Sequence, residues 1–232
     1  MPTRRFRILS ALCGLLGVSM VIVSFNLNPG PPANASIAQV MVWGRQYLDS
    51  IMLGSWLQAV GSLLSVVFAV AVVHIAGATT RFWGVMTVFG CIVLVGVSLL
   101  EVTFYLGAVQ GGVSGNPTTV SVSLDLIKTV QRLFPMLAAP TVFFPLGAVI
   151  LDSGVLPRVL GYLSLALASA FAVSGVIYLF APLLTVVVAL SIIQGVWFLA
   201  AAITLFVGGL KGSDAATAST RGSWLSQDGA LD

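Results

Sequence analysis

Six runs of this chain, at about residues 8–25, 53–76, 83–109, 133–151, 158–180 and 183–209, are apolar over a length that can cross a lipid bilayer. The hydrocarbon core is about 30 Å thick, and an α-helix rising 1.5 Å per residue needs roughly 20 apolar residues to span it. Composition agrees: 58% of the 232 residues are hydrophobic and 7% are charged, against about a quarter charged in soluble domains. So few charges could not cover a water-soluble fold of this size. The sequence predicts an all-α, membrane-embedded bundle of six transmembrane helices in residues 1–210. Residues 211–232, rich in Gly, Ser, Ala and Thr, read as a polar, disordered cytoplasmic tail.

The basic residues set the expected threading. Arg4, Arg5, Arg7, Arg81, Arg158, Lys211 and Arg221 fall on one side, and Arg45, Lys128 and Arg132 on the other. Cytoplasmic loops carry the excess of Lys and Arg, so both termini are expected in the cytoplasm. The basic start also resembles a signal peptide, with Ala33-Asn34-Ala35 as a cleavage-like site. Its apolar run is about 18 residues, longer than the 7 to 15 of a signal core, which favours a retained first helix. Asn34-Ala35-Ser36 matches a glycosylation sequon by chance.

Two outer segments are long. The first, about 26–52, opens with the helix-breaking Asn26-Leu27-Asn28-Pro29-Gly30-Pro31-Pro32, and its second half, with Trp43 and Tyr47, suits the interface. The second, about 110–132, begins Gln110-Gly111-Gly112; in its VSLDLIKTVQRLF stretch Leu124, Ile127, Val130 and Leu133/Phe134 share one helical side. An amphipathic helix leading into the fourth span is expected there.

The net charge of +3 is spread along the chain, giving no nucleic-acid patch. Cys13 and Cys91 lie in apolar runs and read as small buried hydrophobes, not a disulfide. One His and two Cys cannot build the usual all-N/S zinc site, so no metal or cofactor is expected.

Between Arg81 and Asp125 the only charged residue is Glu101. A charged Asp, Lys or Arg at the centre of a span costs roughly 2.5 to 3.5 kcal/mol on insertion scales, so such a group has a partner, a bound proton or a task. Cys91, Ser98, Glu101 and Tyr105 share one face of the third span. Gln58 and Ser62 on the second span, Ser169, Ser174 and Tyr178 on the fifth, and Ser191 and Gln194 on the sixth add polar groups. Glu101, Tyr105, Ser98, Gln58, Tyr178 and Gln194 therefore form the candidate ligand-binding set, in a polar pocket opening outward. Glu101 is the candidate catalytic residue. The competing reading is structural, with its carboxyl bonded to Gln58, Gln194 or a tyrosine and tying helices together.

Other features carry structure. His74 reads as a boundary residue, and Asp152 and Arg158 as topology markers. Pro135, Pro140 and Pro145 predict a kinked fourth span. Gly61, Ser65 and Ala69, and Ala166, Ala170 and Ser174, form small-residue stripes for close helix packing. An offset of 77 lays Gly77, Arg81 and Gly84 on Gly154, Arg158 and Gly161, a weak parallel repeat of two inner turns.

The run LGSWLQAVGSLLSVVFAVAVVHIAGATTRFWGVMTVFGCIVLVGVSLLEVTFYLGA, with LPRVLGYLSLALASAF, resembles uncharacterised small multi-span bacterial integral membrane proteins carrying domain-of-unknown-function labels. The resemblance implies a bacterial cytoplasmic membrane and no activity. Three functions compete. The first is a bundle that binds or senses a small amphiphile or lipid, or assists a partner, without catalysis. The second is an enzyme acting on a lipid or isoprenoid, with Glu101 as proton donor in the manner of membrane terpene cyclases. That chemistry needs a second acid facing the first, and Asp49 or Asp125 would have to fold back to supply it. The third is a proton- or cation-coupled transporter.

Overall fold

Backbone in lipid must satisfy its own hydrogen bonds, and a helix does so within one segment. The computed structural model describes residues 3–31, 35–181 and 184–227, with side chains at 3–31, 35–181 and 185–210, and every regular element in it is helical. Ala33 and Asn34 of the cleavage-like and sequon motifs lie outside the described residues, as do Pro32, Leu183 and residues 228–232.

The elements in order are α1 (Arg4–Leu27), α2 (Ile37–Gln46), α3 (Leu48–Ile75), α4 (Phe82–Ser114), α5 (Pro117–Leu133), α6 (Ala139–Ser153), α7 (Arg158–Phe180) and α8 (Leu184–Gln227). A single π-helical turn, Phe134–Ala138, joins α5 to α6 without a break. Six helices are long and apolar enough to cross a membrane: α1, α3, α4, the continuous Pro117–Ser153, α7, and Thr185–Leu210 of α8. Each of the six apolar runs falls on one of these helices.

Local chemistry explains where the helices begin and end. The Thr3 side chain accepts from the Phe6 amide, Ser36 and Gln39 close a reciprocal capping box, and Asn116 accepts from the Thr119 amide just before Pro117. Gly77, Gly115 and Gly154 adopt left-handed φ of 64°, 72° and 65° in the turns that reverse the chain.

Three boundaries differ from expectation. The break expected at Gln110-Gly111-Gly112 comes later, at Gly115, because Gly111 and Gly112 are buried where α5 and α2 press close. The kink expected in the fourth span is a π turn at Pro135, a known way of absorbing a missing backbone donor. The segment read as a disordered tail continues α8 as helix to Gln227.

The spans touch in chain order, α1 to α3, α4, α6, α7 and α8, and α8 returns to α1, so they form a closed ring. Aromatic rings fill its middle: Phe143 stacks edge-on against Trp197 at 5.2 Å and Phe198 at 5.6 Å, and Phe68 meets Phe198 at 6.1 Å. One end of the bundle carries the N-terminus and the α3–α4 and α6–α7 turns, joined by the exposed Arg81–Asp152 ion pair at 2.9 Å. His74 packs edge-on against Phe6 there. At the opposite end α2 lies across α4 and α5, with Val40, Trp43, Ile51, Val109 and Val120 in a small second core. We call this the capped end.

Close approaches between spans fall at small residues. Gly17 of α1 and Gly61 and Ser65 of α3 bring two backbones together, and a Cβ at Gly90 of α4 would strike the Thr141 carbonyl of α6. The stripe expected on α7 is not the one that packs. Of its three residues Ser174 is buried, but Ala166 is exposed and Ala170 half-exposed, while Gly161, Ser164, Ala168, Phe171 and Gly175 face inward.

Candidate functional site

Glu101 faces α3 and α5. Gln58 Nε2 donates to its Oε2 at 3.0 Å, and Gln131 Nε2 donates to its Oε1 at 3.2 Å. Each carboxyl oxygen thus takes one carboxamide donor from a different helix. Gln58 is buried and Gln131 half-buried. One turn toward the middle of the bundle, the hydroxyls of Ser62 on α3 and Ser98 on α4 bond at 2.8 Å. One turn the other way, Tyr105 packs against the small core of the capped end. A ladder of polar contacts, Ser62–Ser98 then Gln58–Glu101–Gln131, therefore stitches α3, α4 and α5.

The node's depth follows from helix rise. At about 1.5 Å per residue, Glu101 lies ~28 Å along α4 from Phe82, Gln58 ~26 Å along α3 from Ile75, and Tyr178 ~30 Å along α7 from Arg158. These values are close to one hydrocarbon thickness of about 30 Å, so the node sits at the capped edge of the apolar layer and not at its middle.

Of the six expected ligand-binding residues, the structure joins Glu101 to Gln58 and sets Ser98 and Tyr105 one turn to either side of Glu101. Among the described residues no hydrogen bond joins the other two to Glu101. Tyr178 instead lies under Arg132, whose Cζ is 5.8 Å from its ring centroid. Gln194 is half-buried, its Oε1 without a hydrogen-bond partner among the described residues. Ser169 and Ser191 bond the carbonyls of Leu165 and Val187 on their own helices, so they link nothing. Asp49 and Asp125 are both exposed, and Asp125 pairs with Lys128 at 3.4 Å. Neither folds back toward Glu101.

Gln131 was not among the expected partners of Glu101, because its segment was assigned outside the membrane. A signal was present: Leu124, Ile127, Gln131 and Phe134 repeat at 3, 4 and 3 residues, which puts a glutamine on the inward stripe. Two further ties were also missed, Ser164 Oγ donating to the Phe143 carbonyl at 2.7 Å and Trp197 Nε1 to the Leu160 carbonyl at 2.9 Å. Arg45 on α2 donates from Nε to the Gly112 carbonyl near the end of α4 at 2.8 Å. That bond serves a helix C-terminus, where cations are favoured.

A second polar locus lies at the same end. Lys128 and Arg132 of α5, with Tyr178, Leu179, Phe180 and Ala181 at the end of α7, line a cleft of about 270 Å³. Phe180 is 87% exposed at its mouth. Among the described residues no three His, Cys, Asp or Glu side chains gather to hold a metal ion. No protein-family model, curated protein or solved structure matches the chain.

Proposed function

We propose that this chain works without turning over a substrate, as a six-span bundle of a bacterial cytoplasmic membrane that binds or senses a small amphiphile. Both termini lie in the cytoplasm, which puts the capped end outside. The observation that carries the reading is the state of Glu101. It is the only acidic residue in the interior of the apolar runs, and both of its oxygens are engaged by glutamines of neighbouring helices. A carboxyl so committed ties three helices under the cap, and among the described residues no second acid stands beside it to share a proton.

Lipid analysis of the full chain, purified in mild detergent, tests this. The expected result is an amphiphile retained at fixed stoichiometry by the wild type and by Glu101→Gln alike. The Gln side chain keeps an acceptor for one glutamine and can turn its amide toward the carbonyl of the other. A lipid or isoprenoid conversion that is catalysed by the wild type and abolished in a folded Glu101→Gln variant would overturn the reading in favour of acid chemistry.

A further inference from the structure

Three of the ten basic residues, Arg45, Lys128 and Arg132, lie on the side of the chain that the threading leaves poor in cations. Arg45 is accounted for by its bond to the Gly112 carbonyl, while Lys128 meets Asp125 at 3.4 Å in an exposed i,i+3 contact of the kind that contributes little and can be exchanged for a ligand. Lys128 and Arg132 are one turn apart on α5 and converge on a single cleft against the end of α7. Arg132 lies over the Tyr178 ring, which orients its guanidinium, and both cations are exposed. Among the described residues no acidic side chain lines the cleft. The rest of its wall is apolar, with Leu179 45% and Phe180 87% exposed beside the cations. Two cations beside an aromatic and aliphatic wall suit an acidic head carried on an apolar chain.

We propose that the Lys128–Arg132–Tyr178 cleft is a binding site for the phosphate or carboxylate headgroup of an anionic membrane amphiphile. This deepens the proposal that the chain binds an amphiphile and rests on it. The two cations carry the headgroup charge through charge-assisted hydrogen bonds, and Arg132 offers a fork that fits two oxygens. Leu179 and Phe180 flank the first carbons of the chain. The site is separate from the Glu101 node, which stands on the other partners of α5.

The test is a titration of the full chain in neutral detergent with phosphatidylglycerol or phosphatidylcholine of identical acyl chains, read by native mass spectrometry. Two interfacial cations predict a preference for phosphatidylglycerol of about 30-fold at low salt, shrinking as salt rises. Lys128→Gln with Arg132→Gln should abolish the preference, while the exposed Arg158→Gln at the other end should leave it intact. Equal binding of the two lipids by the wild type would overturn the cleft assignment while leaving amphiphile binding standing. Retention of neither lipid would sink both proposals. A preference surviving the double variant, or lost equally in Arg158→Gln, would also overturn the assignment. Should the double variant not fold, the single variant Arg132→Gln removes one of the two charges and should cut the preference to about 5-fold, and an unchanged preference and salt dependence there would place the headgroup elsewhere. Inorganic phosphate at millimolar concentration is the last arm: displacement of the lipid by phosphate at equal concentration would overturn a lipid ligand in favour of a free oxyanion.

Discussion

A carboxyl that receives a donor from α3 on one oxygen and a donor from α5 on the other fixes three helices at a single side chain. Interhelical hydrogen bonds in membranes average about 0.6 kcal/mol, so retaining the bonds contributes little. Leaving a buried partner unmet costs more, about 1–3 kcal/mol. Glu101→Leu strands both glutamines and should lower stability by roughly 1–3 kcal/mol, read as earlier thermal unfolding in detergent. Glu101→Gln should stay within about 1 kcal/mol of wild type, near the size of one net hydrogen bond. Because Gln58 and Gln131 share this acceptor, Gln58→Leu and Gln131→Leu combined should cost less than the sum of the singles in a double-mutant cycle. Additive losses would mean that the two glutamines act independently. The acid itself was legible in the sequence, as was Gln58, since both interrupt long apolar runs. Gln131 was hidden by its setting in a polar segment. Gln194 and Tyr178 make no bond to Glu101, because facing direction within a span fixes the side of a helix and not which neighbour occupies it.

Between elements, backbone proximity decides the packing. At Gly90 a Cβ would strike the Thr141 carbonyl, an atom of α6 backbone that no rotamer change can move. Gly96, six residues on in the same helix, has nothing within 4 Å of that position. Gly90→Ala should therefore destabilise by about 1–3 kcal/mol, the usual cost of overpacking. Gly96→Ala should be neutral or stabilise by up to about 1 kcal/mol, the helix-propensity gain. Thermal unfolding of the pair checks this, and equal effects would mean that α4 and α6 do not meet at Gly90. The small-residue stripe on α3 was readable because Gly61, Ser65 and Ala69 all face inward. On α7 the same spacing held only at Ser174: Ala166 and Ala170 are as acceptable to lipid as to a helix, so smallness alone does not choose the face. The turn glycines Gly77 and Gly154, aligned by the 77-residue offset, share a left-handed φ. Their third counterparts diverge, since Gly84 abuts the Ala78 carbonyl of its own turn and Gly161 abuts Leu151 and Gly147 of α6. A helix that reverses direction needs such a glycine, with or without a common origin.

For the whole molecule, the number of spans followed from apolar length alone, while the closed ring depends on which faces meet and could not be read from hydropathy. The ring places every turn at one of two ends, so a single sidedness governs them all. The terminal end gathers Arg4, Arg5, Arg7, Arg81 and Arg158; at the capped end lie Arg45, Lys128 and Arg132. Loop cations are retained on the cytoplasmic side during insertion, so this asymmetry predicts the terminal end in the cytoplasm. Cys13 and Cys91 lie within α1 and α4, and replacing both with Ala gives a background free of cysteine. A single cysteine at exposed Thr79 in the α3–α4 turn should then resist a membrane-impermeant maleimide in intact cells and react after lysis. A cysteine at exposed Ser114, the last residue of α4 before the turn to α5, should react in intact cells. The ring makes the two results interdependent, because α4 connects the two sites through one crossing. Both sites reactive from outside would break α4 as a span, and an exchange of the two patterns would invert the bundle, moving the Lys128–Arg132 cleft to the cytoplasmic leaflet.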